Sequence, residues 1–296
     1  MKFVEISTER IASFLGAPSS GSMGIADCVT PLNEPKNRAL TFAVDGSSEL
    51  LSLWNGCNAI VIAPPGALVP SSCSHIHSEN PRKQYADVVR EYFAPPREVG
   101  IATSAVIDPT SQIGTDVYIG HNVVIEAGVR IGNSTSIGHN STILRNSEVG
   151  NDVSIGHNTV IGSIGFGLEE DGNGDWIRIP HLGRVVIEDA VEIGSSSVIA
   201  RGTIKETRIS TNCKIDDNVF IAHNVHIDHN SVVIANAEIS GSVQIGKHCW
   251  IGPAVTVLEK IRIGDGAFIG IGSVVIRDVP AGKLVVGNPG KVLRDR

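Results

Sequence analysis

The chain has 296 residues, of which 42% are apolar but only 4% aromatic, with 32 glycines and a net charge of −7. The acidic balance excludes a broad nucleic-acid surface while leaving room for a local basic pocket around a phosphorylated ligand. Five scattered cysteines without a CxxC exclude a disulfide scaffold or zinc module and fit a reduced, cytoplasmic protein.

In chain order, "MKFVEISTERIASFLGAP" carries Glu5, Glu9 and Arg10 and lacks an uninterrupted apolar run, so it does not read as a signal peptide. No stretch approaches the ~18 apolar residues of a membrane span. A helix is expected from Thr8, with Thr8 as N-cap. "ALTFAV" and "NAIVIAP" read as strands, and "NPRKQYADVVREYFAPP" as a helix stopped by Pro95 and Pro96. Residues 1–100 therefore read as a small α/β domain.

From Ile101 the sequence repeats. Apolar residues recur every six positions from Ile101 through Ile161 and again from Ile209 through Val275, with Ile187, Ile193 and Ile199 on the same period but offset by two. A period of six is neither helix nor alternating strand. Held over twenty-three hexads, it is the signature of a hexapeptide β-helix. Each hexad supplies a short strand and a turn, and three hexads close a triangular coil of 18 residues. This places a parallel β-helix over 101–278. The break at 162–184, "GSIGFGLEEDGNGDWIRIPHLGR", reads as an excursion that covers something, with Phe166 and Trp176 as candidates to line a pocket. The tail 279–296 is expected to leave the helix through Pro and Gly and to end basic.

The coil places the histidines. His121, His139 and His157 share a "GHN" turn and are spaced by 18, so they should stack along one corner and exchange hydrogen bonds between coils. "DNVFIAHNVHIDHNS" puts His223, His226 and His229 within seven residues, which invites a metal reading. Yet His223 and His229 occupy equivalent turn positions in consecutive hexads, hence different corners. Six extended residues span at most about 20 Å, so one chain cannot gather all three, and no metal is expected. Eighteen residues after His223 comes Gly241, whose missing side chain leaves room for a ligand arm and whose N–H could face an oxyanion. Above His229 lies Lys247, with no such gap.

Here the sequence resembles a known family. Over residues 1–277 it is similar to the UDP-3-O-acylglucosamine N-acyltransferases of lipid A synthesis. The matching stretches are "ERIASFLGA", "VIDPTSQIG", "GFG…GDWIRIPHLGRVVIEDAVEIG", "ARGTIKET", "KIDDNVFIAHNVHI" and "ISGSVQIGKHCWIG". The resemblance implies a left-handed parallel β-helix and a homotrimer with active sites between subunits. It also implies acyl transfer from a thioester donor to a sugar amine, without a bound cofactor. It makes His223 the general base and Gly241 the oxyanion donor, with Asp217 and Asn224 as sequence neighbours that could meet the substrate.

The departures are specific. Where the family holds uracil with Asn and Tyr, this chain has Asp45 and Ser48. "IDRG" is "IARG", with Ala200 replacing the acid; Arg201 is expected to be structural. The family's second active-site histidine aligns with Lys260. Its C-terminal helices are absent, and "VVGNPGKVLR" resembles the end of hexapeptide acetyltransferases that use acetyl-CoA. That likeness makes Lys260, Lys283, Lys291 and Arg294 candidates for the CoA phosphates. Trp250 and Phe268 are expected at a subunit interface or against the tail.

The reading is an N-acyltransferase that moves an acyl group from acyl-CoA or acyl carrier protein to a nucleotide-linked amino sugar for a surface glycan. The alternative within the family is the lipid A step itself. Outside it stand a γ-carbonic-anhydrase-like metalloenzyme, which needs three histidines converging between subunits, and a non-enzymatic trimeric scaffold.

Overall fold

The computed structural model describes residues 5–296. It divides into two compact units, 1–97 and 98–296.

The first unit is built on a five-stranded sheet. Its order is Ser19–Gly21, Ser74–His77, Ile60–Ala63, Ala39–Phe42, Cys28–Val29, with only the first pair antiparallel. Side chains alternate across the central strands. Ile60 and Ile62 pack with Ile6, Ile11 and Val88 on one face. Val61 packs with Leu51 and Trp54 on the other. The first helix is Thr8–Leu15, but its N-cap is Ser7, which accepts from the Arg10 N–H. Thr8 is displaced from the capping role because its hydroxyl is engaged elsewhere, with the Gly24 carbonyl and Ser74 Oγ. The helix Pro81–Val88 runs into a wider turn, Val89–Phe93, and stops at Ala94. The residue before a proline is steered out of the helical region, and Pro95 follows.

The second unit is a β-solenoid. Strands mostly of two residues form three sheets of eight, eleven and nine strands, parallel throughout except for the last strand of the eleven. Equivalent residues pair one coil apart: Ile119 with Ile137, and Ile137 with Ile155. The inward isoleucines and valines form one continuous core. Each fully buried aliphatic contributes roughly 1.5–3 kcal/mol, so the stack supplies the driving force. The turns need a left-handed residue. Asn122, Asn140 and Asn158 supply it at φ 57°, 60° and 56°.

Two excursions interrupt the phase. In the first, Leu168–Glu170 and Trp176–Arg178 pair as an antiparallel hairpin before the helix resumes at Arg184–Ile187. The second is short: ten residues separate Ile199 from Ile209 where six would do. The two excursions meet. Leu182 N–H donates to the Thr203 carbonyl at 2.8 Å and Gly183 N–H to that of Gly202 at 3.0 Å. A side chain at Gly183 would put its Cβ 1.9 Å from the Lys205 carbonyl oxygen, so only glycine permits this approach.

The tail departs from expectation. It does not leave the helix but extends the eleven-stranded sheet. Lys283–Val286 pairs in parallel with the strand at 268–269, and Lys291–Asp295 folds back antiparallel. The reason is register: Leu284 continues the outward column of Trp250 and Phe268, and Val285 continues the inward column of Ile251 and Ile269.

Candidate active site

The histidines of "IAHNVHIDHN" separate as the coil geometry requires. His226 lies on the eight-stranded sheet, 3.4 Å from Ser210 Oγ. His229 sits at the next corner, bonded through Nδ1 to Asp228 at 2.8 Å and edge-on to His248. Neither contacts His223. The column of three also forms. His121 N–H donates to His139 Nδ1, and His139 N–H to His157 Nδ1, both at 2.8 Å, with ring centroids 5.4 and 5.0 Å apart. These rings serve as turn caps.

His223 follows the strand Phe220–Ile221, at the corner between the nine- and eight-stranded sheets. One coil above it is Gly241. A Cβ there would lie 2.7 Å from His223 Cε1 and 2.9 Å from Nε2, so the missing side chain is what uncovers the ring edge. Gly241 is buried, and among the described residues its N–H makes no hydrogen bond. Burial holds the His223 imidazole below the usual histidine range; neighbouring His181 adds to this and Glu259 opposes it. A ring that stays neutral near pH 7 suits proton-transfer work.

Asn224 is brought to this corner. Its amide lies 3.1 Å from His223 Nδ1, and its Oδ1 accepts from the Thr203 N–H at 2.9 Å. Asp217 is not. It belongs to the preceding corner, where Oδ1 accepts from the Ser195 N–H and stabilises the turn below.

The residue that sequence reasoning missed is His181. Its ring packs edge-on against His223 at 5.1 Å. It is 6% exposed, its Nδ1 bonds the Ile179 carbonyl at 2.9 Å, and its Nε2 has no partner among the described residues. His181 lies in the first excursion, outside the hexad phase, so no stacking argument could place it. "GFG" supports it: a Cβ at Gly165 would fall 2.6 Å from His181 Nε2, and one at Gly167 3.0 Å from Cε1. Phe166, between these glycines, is 71% exposed beneath the Arg178 guanidinium, and Trp176 is 67% exposed. Arg201 is buried, and its Nε donates to the Gly162 carbonyl at the root of the excursion.

Lys260 lies one coil on from Gly241, its N–H donating to the Gly241 carbonyl at 2.9 Å. Lys260 pairs with Glu259. Lys283 pairs with Asp295 across the tail hairpin, on which Lys291 and Arg294 are exposed. Trp250 and Phe268 stack at 5.8 Å, with Arg296 over Phe268. In the first unit, Asp45 and Ser48 are both exposed. Asp45 borders a concavity of about 410 Å³ with Pro64, Pro65, Glu79 and Arg82, whose lining includes neither Ser48 nor an aromatic ring. Burial pushes the Cys213 thiol up to about 11, which disfavours it as a nucleophile.

Comparison with known proteins adds the family. A hexapeptide-repeat model, "Bacterial transferase hexapeptide (six repeats)", matches residues 128–163 and 242–277. The UDP-3-O-acylglucosamine N-acyltransferase of Campylobacter concisus (strain 13826) is 39% identical over 302 aligned positions, covering 97% of this chain and 92% of that protein. The chain belongs to the UDP-3-O-acylglucosamine N-acyltransferase family. The Herminiimonas arsenicoxydans member is 35% identical, over 40% of this chain and 34% of its own. Among solved structures, the UDP-N-acetylglucosamine acyltransferase of Bacteroides fragilis 9343 is similar at 26% identity and a TM-score of 0.59, covering 65% of this chain and 73% of that one. That of Francisella novicida, at 24% identity and a TM-score of 0.60 over 66% and 69%, shares the fold.

Proposed function

We propose that this family member transfers an acyl group from a thioester, acyl-CoA or acyl carrier protein, to the amine of a UDP-linked amino sugar. The observation that carries the reading is the uncovered His223 ring beneath the unpaired, buried N–H of Gly241. An amine that attacks a thioester must lose a proton, and the carbonyl oxygen becomes an oxyanion. An imidazole serves the first need and a fixed N–H the second. The lipid A step itself is the second reading. What favours it is the 39% identity with the Campylobacter concisus enzyme along nearly the whole chain.

A homotrimer goes with this reading. Over its first six strands the outward column of the nine-stranded sheet is largely apolar, running Val106, Val124, Thr142, Val160, Val198, Phe220, before Glu238, Thr256 and Val274 complete it. Val106 is 64% and Phe220 39% exposed in the single chain, as expected of a face that another subunit covers. Lys260, Lys283, Lys291 and Arg294 are proposed for the donor's phosphates, Phe166 and Trp176 for the acyl or sugar pocket, and Asp45 and Ser48 for the nucleotide. Five free thiols suit a cytoplasmic setting. No helix among the described residues is long and apolar enough to cross a membrane.

The test is thiol release from acetyl-CoA and from 3-hydroxyacyl carrier protein, with UDP-3-O-acylglucosamine and with UDP- and dTDP-linked amino sugars, alongside His223→Ala. Release that requires an amino sugar and disappears in the variant is expected. A trimer that releases no thiol with any pairing would leave the scaffold reading in its place.

A further inference from the structure

Two walls around the His223 ring come from the first excursion. His181 packs against it edge-on, with centroids 5.1 Å apart and planes at 66°. The backbone strip at Gly165 runs past the base of the side chain, where an added Cβ would lie 3.1 Å from His223 Cβ. The Cε1–Nε2 edge faces the gap beneath Gly241. His181 is itself locked. A carbonyl only accepts, so Nδ1 donates to that of Ile179, at 2.9 Å. Nε2 faces the Gly165 strip, 2.6 Å from where a Cβ would stand, and is unpaired among the described residues. The ring is buried, so it offers a substrate no free nitrogen. A buried nitrogen left unpaired costs free energy, and such exceptions ask for an explanation. Phenylalanine would avoid the cost but lose the tie to Ile179. Asparagine would keep the tie but lose the ring. The next residues, Leu182 and Gly183, are bonded to Thr203 and Gly202 of the second excursion, so the ring stands on a supported stretch.

We propose that His181 is a positioning residue for the transfer: tied to Ile179 and backed by the Gly165 strip, it holds the His223 imidazole with its Nε2 edge towards the gap beneath Gly241. This rests on the acyl-transfer reading of the same site, in which His223 takes the amine proton. His181 exchanges no proton. A general base works only within hydrogen-bond reach of the proton it takes. A misplacement of about 1 Å can cost about 100-fold in rate. An imidazole free to turn about its side-chain bonds would leave that reach. Holding it needs a support whose own side chain is fixed, and the two contacts of His181 supply one.

Three variants of the full chain test this in single-turnover transfer. His181→Asn keeps a donor for Ile179 and removes the ring; its rate should fall about 10- to 100-fold with acceptor KM little changed. Gly165→Ala leaves His181 in the sequence but sets a methyl against both rings, and should slow transfer likewise. His181→Phe restores a flat ring and should recover most of the rate. Burial and His181 together hold the His223 pKa below 6.5, with Glu259 opposing. In His181→Asn the NMR midpoint of His223 and the acid limb of kcat/KM should therefore both move up towards 6.5. Thermal melting checks folding; if His181→Asn does not fold, the slow Gly165→Ala and fast His181→Phe carry the same prediction. An active wild type whose His181→Asn form keeps its rate overturns the proposal. So does a loss confined to acceptor KM, or a His181→Phe form as slow as His181→Asn. A wild type that transfers nothing overturns the acyl-transfer reading and, with it, the positioning role.

Discussion

Two corners of one solenoid carry histidine in the same turn position with opposite outcomes. At His139 and His157 the ring Nδ1 accepts the backbone N–H of the coil below, and at His121 it meets Ser104 Oγ at 2.9 Å. At His223 the coil above offers glycine instead of a capping side chain, and a second imidazole approaches from an excursion. The repeat supplies identical backbones at both corners. Whether a histidine is spent as a cap or keeps an open edge depends on what the next coil places above it.

The largest expected effect is at the open corner, which we propose as the catalytic one. His223→Ala should lower acyl transfer by about 10²–10⁴ while thermal melting stays near wild type; an equally active variant would make the two corners equivalent. Gly241→Ala comes next. Its Cβ would meet the His223 ring at 2.7–2.9 Å, closing the gap, and kcat should fall by about 10² or more. Circular dichroism and melting check that the coil survives.

At the other corner the expected effect is on stability alone. His139→Ala leaves the His121 N–H uncapped and should cost about 0.5–1.5 kcal/mol in urea unfolding with kinetics unchanged. A loss of activity there would show that the column takes part in the reaction. Arg201→Ala removes the strut to Gly162, so it should destabilise the fold while the surviving folded protein keeps normal kinetics.

The smallest effect concerns pH. Burial lowers the His223 pKa below its ordinary 6.5, so the folded state holds this proton less readily than the unfolded chain does. The neutral ring's contribution is therefore complete above 6.5 and is lost as pH falls below it. His181 and Glu259 are the titratable groups that influence the ring. An NMR titration of His223 should give a midpoint under 6.5, and His223→Gln should lose less stability between pH 7 and 5 than wild type. A midpoint above 6.5 would mean that Glu259 outweighs burial.

The period of six was sufficient to read the coil, because an inward isoleucine every sixth residue has one economical arrangement. It also separated the three clustered histidines, since register alone assigns corners. It placed Gly241 above His223 and predicted the stacked column. Residues outside the period were not legible. Asp217 is close to the His223 motif in sequence but caps another corner. The Pro and Gly of the tail predict a departure from the helix, yet Leu284 and Val285 fall into register and extend a sheet. Thr8 had the composition of an N-cap, but Ser7 caps because Thr8 bonds across to Ser74.

The sequence by itself determined the solenoid, its corners and the open ring, because all three follow from a repeat that fixes each residue's neighbour one coil away. Only the tertiary structure decided that His181 joins His223. That contact depends on two excursions that leave the repeat at different points and bond to each other through Leu182, Gly183, Gly202 and Thr203. No period encodes a meeting between segments that have both left the period.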